Sequence, residues 1–157
     1  MGLGADRVLE LLEATTAHVR RLGADVPAER ADASPPDGGW SMLEVLAHLR
    51  ACADVWGASI DRILSEDEPT IRALNPRTYL PSTDYLTLAW HPSWQAFLGQ
   101  REALLQRLLP LGEEQWRRAA TVVGAGRPLR TTALDYAERL ATHERSHVKQ
   151  LHRLAAG

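Results

Sequence analysis

The stretch SMLEVLAHLRACADVWGASIDRIL, Ser41 to Leu64, decides the reading of this chain. Ser41 and Glu44 have the spacing of a capping box, in which each side chain satisfies a free backbone N–H of the other residue. Val45, Leu49, Cys52, Trp56, Ile60 and Ile63 then recur at intervals of three and four, one face of a long amphipathic helix. At ~1.5 Å per residue such a helix spans about 35 Å, long enough to run the whole length of a small bundle.

Other segments have the same period. Val8, Leu12, Val19 and Leu22 mark a helix over 6–23, stopped at Gly23. Phe97, Leu104, Leu105 and Leu108 mark another, over 84–109, with Pro92 expected to kink its beginning. The last runs over 131–155. Between them, Val26 to Gly39 and Ser65 to Pro81 read as connecting loops rich in Pro, Gly and charge, the second a long crossover. The residues EEQW after Pro110 read as a short turn, and β-branched residues around a Gly-x-Gly turn suggest a small hairpin over 121–130. The expected fold is therefore all-α, a four-helix bundle forming a single domain over 1–157.

Composition narrows the function classes. The chain has 157 residues, 45% hydrophobic and 24% charged, as in an ordinary globular domain. A net charge of −2 gives no electrostatic footprint for nucleic acid or an anionic membrane. No apolar run approaches the ~20 residues of a bilayer span. Cys52 is the only cysteine, and the N-terminus does not read as a signal peptide, so a cytoplasmic protein is expected.

The chemistry-bearing motif is His143-Glu-Arg-Ser-His147. Residues four apart on a helix lie roughly 40° apart about its axis, so the two imidazoles can converge on one ion. Both fall on the apolar stripe of Tyr136, Leu140, Leu151 and Leu154, where each ring must satisfy its nitrogens. Hydrogen bonds to neighbours or a wet edge would do so as well as a metal. The letters match the zinc-protease motif, but the chain has only His152 downstream as a third ligand, about 140° round the helix, and that reading is rejected. His48, at the border of the apolar face of the second helix, is the best upstream ligand. Three imidazoles with open positions are the pattern of a catalytic site and suit zinc, nickel, iron or copper.

Several pieces together resemble the DinB/YfiT-like superfamily of metal-binding four-helix bundles. They are Trp40-Ser41 with Glu44 to Leu49, Arg101, Trp116 with the Thr121 to Gly124 segment, and His143-Glu144 with His147, Gln150 and Leu151. The anchors extend from Trp40 to Leu151. The resemblance implies that His48, His143 and His147 are the metal triad, with zinc or nickel as the expected ion. It also implies small-molecule chemistry: a metal-dependent transferase or hydrolase, some relatives using a low-molecular-weight thiol such as mycothiol or bacillithiol for S-transfer or isomerisation. A homodimer through helix faces is the implied assembly, with Trp94 and Phe97 as candidate contacts.

Two function classes follow. In one, the ion activates a thiol or water against a small electrophile, with Glu144 as the candidate acid/base. In the other, a non-catalytic stress-response protein uses the ion to pin two helices together. Glu144 could also form a salt bridge at the bundle edge. Cys52, one turn beyond His48, reads as a core thiol more readily than as a fourth ligand. His91 could line the entrance, Trp56, Trp90 and Tyr136 could wall a pocket, and His18 and His152 read as surface residues.

Overall fold

Ser41 caps its helix as its spacing requires: its Oγ accepts from the Glu44 N–H, and the Glu44 carboxylate accepts from the Ser41 N–H. A computed structural model describes residues 2–157. The long helices are α1 (Ala5–Gly23), α3 (Met42–Ser65), α5 (Trp90–Leu108) and α7 (Ala133–Ala156). Shorter helices are α2 (Ala28–Asp32), α4 (Pro76–Tyr79) and α6 (Glu113–Arg117), with a 3₁₀ turn at Leu80–Ser82. The strands are β1 (Thr70–Arg72), β2 (Ala119–Val123) and β3 (Leu129–Thr132). A second capping box, Thr132 with Asp135, starts α7 directly from β3.

The four long helices form a ring in which α3 packs on α7, α7 on α1, α1 on α5 and α5 on α3. Their buried residues divide into two apolar clusters. One holds Leu12 of α1, Ile60 of α3, Leu104 of α5 and Leu140 of α7. The other holds Val19, Leu46, Phe97 and Leu151 of the same helices. The order of these residues along the chain means that α1 and α7 run one way and α3 and α5 the other. Because α3 and α5 run the same way, the chain must travel the length of the bundle between them. The segment of residues 66–89 is that crossover.

Between the two clusters lies a polar layer. Thr15 and Thr16 of α1, His48 of α3, Arg101 of α5 and Glu144 of α7 are all buried there. A polar level in an apolar core is costly unless its groups find partners, so the core itself points to where partners are to be sought.

The structure corrects four details of the sequence reading. The third long helix begins at Trp90, not near residue 84, and Pro92 does not kink it. Pro92 is the third residue of α5, inside the first turn, where no intrahelical N–H donor is required; the first such bond is Ser93 N–H to Ala89 O. The crossover carries β1, α4 and the 3₁₀ turn, and the Val26 to Gly39 loop carries α2. The turn expected at EEQW is the five-residue helix α6. The hairpin expected around 121–130 is β2 and β3, and β1 adds to it in parallel, Ile71 opposite Val122.

Candidate metal centre

Helix α3 contributes His48 from its buried face, and α7 contributes His143 and His147, which are half-buried beside the buried stripe of Leu140, Glu144 and Leu151 rather than on it. Because α3 and α7 pack along their length, the three rings meet. The Nε2 atoms of His48 and His143 are 3.3 Å apart. The His147 ring lies 5.0 Å from that of His48 and 4.7 Å from that of His143, centre to centre. Cys52 joins them: its Sγ is 3.6 Å from His48 Nε2. One donor atom each from His48, Cys52 and His143 falls within a single 4.8 Å cluster.

The electrostatics favour neutral imidazoles. Burial, then the His147 and His143 rings, then the Arg77 guanidinium pull the His48 pKa down to about 4. Burial, His147 and Arg77 lower that of His143 too. A neutral ring has a lone pair to give to an ion, and a protonated one has none. Burial, reinforced by Glu144, pushes the Cys52 thiol up to about 12, against a smaller pull from Arg77. His147 Nδ1 lies 3.1 Å from Gln150 Oε1. In the tautomer protonated on Nδ1, His147 would donate to Gln150 and keep Nε2 for a ligand, the usual way a metal-binding imidazole is oriented. The Nδ1 atoms of His48 and His143 are buried without a partner among the described residues.

The clustered donors are two imidazoles and a thiol, with the His147 ring beside them but outside the cluster; such nitrogen and sulfur donors suit zinc, nickel, iron or copper, and suit magnesium or calcium poorly. The facing Nε2 atoms are the further sign of fit. Two nitrogens on one zinc ion at ~2.0–2.1 Å stand roughly 3–3.5 Å apart.

Glu144 has a different place from the one proposed for an acid/base. It is fully buried rather than at the bundle edge, and both carboxylate oxygens receive the Arg101 guanidinium, Nη1 to Oε2 at 2.8 Å and Nη2 to Oε1. Burial pushes its pKa up while Arg101 opposes the rise. The pair crosses the bundle between α5 and α7, behind the histidines. His91 is exposed and packs on Trp94, away from the centre. Trp90 donates to Gly23 O and Trp94 to Val19 O, so both serve the core. Trp94 and Phe97 are buried within the chain and offer no surface to a dimer partner. His18 and His152 pack on each other, 5.6 Å apart.

Residues 11–151 match the family profile described as the DinB superfamily. The chain belongs to the DinB superfamily. Among solved structures it is similar to YfiT from Bacillus subtilis, described as "a probable metal-dependent hydrolase with an unusual four-helix bundle topology". That likeness has a TM-score of 0.78 at 18% identity, covering 97% of this chain and 86% of the other. At such identity it shows the fold. No curated protein matches the sequence.

Around this DinB centre stand two further tryptophans. Trp40 stacks on His147 at 6.2 Å and leans on His48 at 5.2 Å. Trp56 meets His143 edge-on at 5.3 Å, one of the pocket walls expected. Trp56 and Tyr136 also line a cavity of about 310 Å³. A larger cavity, about 540 Å³, lies beyond Trp40 and reaches Gln150. Gln150 was visible as the third residue after His147; Arg77, on the crossover, was not.

Proposed function

We propose that this DinB protein is a metal-dependent enzyme acting on a small molecule, with His48, His143 and His147 holding one divalent ion, zinc or nickel. The observation that carries the reading is the 3.3 Å approach of two neutral imidazole nitrogens, with the third ring packed on both. A bound ion would supply Lewis acidity, lowering the pKa of a water or a low-molecular-weight thiol so that it can attack an electrophile. The chain's own residues do the rest. Gln150 orients His147, Trp40 and Trp56 wall the two sides, and the Arg101–Glu144 pair holds α7 in register behind the ligands. In this reading Glu144 positions the site and does not transfer the proton, since Arg101 occupies both of its oxygens.

Cys52 favours a second reading. At 3.6 Å from His48 Nε2 it could close a four-ligand His/Cys site, in which the ion pins α3 to α7 and does no chemistry.

The test is metal depletion and add-back with a panel of activated esters, amides and electrophiles, each with and without an added thiol. Metal-restored turnover, absent in a folded His143→Ala protein, is expected. Equal rates with and without metal would contradict the enzyme reading.

A further inference from the structure

Residues 74–88 of the crossover hang between two fixed points. Before them β1 is held in the sheet, where the Ala73 N–H still donates to Val123 O. After them Trp90 is buried and its indole donates to Gly23 O. In between, the backbone bonds only within the segment: Thr78 and Tyr79 donate to Asn75 O, Thr83 to Leu80 O and Thr87 to Asp84 O. The short polar side chains do the same. Asn75 accepts the Arg77 N–H, Ser82 donates to Tyr79 O, and Thr83 and Thr87 donate to Leu80 O and Asp84 O.

Among the described residues, the hydrogen bonds that leave the segment all end on one atom. The Tyr79 hydroxyl donates to Asp54 Oδ2 at 3.0 Å, and the Tyr85 hydroxyl to the same oxygen at 2.5 Å. Gln100 of α5 donates to Asp54 Oδ1 and to Arg50 O, so the carboxylate is itself held in place. Hydrogen bonds to a carboxylate are stronger than those to a neutral acceptor. Ring faces make the other contacts: the Arg50 guanidinium lies 3.7 Å from the Tyr85 ring, and that of Arg77 5.2 Å from the Trp40 ring. Within the segment only Pro76 is buried, and Leu74 and Leu86 are exposed. A stretch with so little buried apolar surface, and no backbone bond to its surroundings, opens at a fraction of the cost of unfolding the domain.

Beneath the segment lies the approach to the metal centre. Leu74 and Tyr79 line the cavity of about 310 Å³ from the crossover side, and Trp56 of α3 and Tyr136 of α7 line it from the bundle side. Trp56 meets His143 edge-on, and Trp40, under Arg77, packs on His48 and His147. Helix α3 supplies both His48 and Asp54, so one rigid element carries a ligand and the point to which the cover is tied.

We infer that residues 74–88 are a lid, latched by two phenols on Asp54, whose opening governs passage to the cavity and the centre. Control over the centre rests on the metal reading above; the latch does not, and the experiment separates them. The first arm digests the metal-free full chain with trypsin. Cleavage after Arg77 requires the segment to open, whereas cleavage after Arg139, inside α7, requires the bundle to unfold. The double variant Tyr79→Phe, Tyr85→Phe keeps both rings and removes both hydroxyls. It should be cut after Arg77 about tenfold faster or more, with the Arg139 rate unchanged. Asp54→Ala, which removes the acceptor instead, should do the same, and circular dichroism reports that the helices of each variant are intact. The second arm loads each protein with Co²⁺ and follows the loss of the visible band in excess EDTA, which should be faster in both variants. Cleavage after Arg77 at the wild-type rate overturns the latch. So does an Arg139 rate that rises in step, since the whole domain has then loosened. Faster cleavage with cobalt stripped at the wild-type rate overturns the lid's control of the centre. No cobalt band in wild type overturns the metal reading and that control with it, while the digestion still decides the latch.

Discussion

Arg101 and Glu144 are both fully buried, and among the described residues neither has another ion-pair partner. Removing one partner leaves the other as an uncompensated charge in the core, at a cost of about 3–5 kcal/mol. Arg101→Met and Glu144→Leu should each lower stability by that order in urea titrations of metal-free protein. The double variant, with an apolar pair in the same space, should cost less than either single change. Equal or additive losses would mean that the pair is not the unit described. A second residue-scale prediction concerns pH. His48 has a pKa near 4 in the fold against 6.5 unperturbed. Between those values the unfolded chain holds more protons, so metal-free stability should rise with pH across about 4 to 6.5, and this contribution should level off above. The lowered His143 pKa acts in the same direction. Urea midpoints across that range should climb less steeply in His48→Gln than in wild type; an equal slope would contradict the assignment.

At the scale of elements, close approach decides more than propensity. Gly23 ends α1 against Trp94, where an added Cβ would fall 2.2 Å from the indole ring. Gly23→Ala must therefore push Trp94 off its hydrogen bond to Val19 O, 2.9 Å long. Overpacking of this kind costs typically 1–3 kcal/mol, against at most ~1 kcal/mol gained in helix propensity. The expected result is a net loss of stability with a shifted tryptophan emission; a more stable protein would show that the ring yields freely. The elements differ in how plainly the sequence announces them. Helix α3 was readable from Ser41 and Glu44 because a capping box is local chemistry, and α7 from the helical spacing of Tyr136, Leu140, Leu151 and Leu154. Strand β1 was not readable. Three residues, Thr70 to Arg72, cannot establish an alternation, and they are strand only because β2 lies beside them. Pro92 misled because the same residue breaks a helix interior and suits a first turn. The Asp54 anchor and the Arg101–Glu144 pair join residues 25 to 46 positions apart, which no local pattern encodes.

For the whole molecule, the polar layer between two apolar clusters explains how a site can be buried without the ion being needed for folding. Each cluster joins all four long helices. A chain of 157 residues buries enough surface to fold on that basis, unlike a zinc finger. Chelated protein should therefore keep its helical circular dichroism and unfold cooperatively. Added zinc should raise the midpoint by ordinary linkage, about 2.7 kcal/mol at a hundredfold excess over Kd. Outright melting on chelation would place the ion among the structural staples, as the closed His/Cys reading requires.

The central claim, an open site of three imidazoles on one ion, is tested most directly by X-ray absorption at the metal edge of the zinc-loaded protein. The account predicts a shell of nitrogen and oxygen at ~2.0–2.1 Å, with outer-shell scattering from three imidazoles and no sulfur. A sulfur neighbour at ~2.3 Å would place Cys52 on the ion and contradict it.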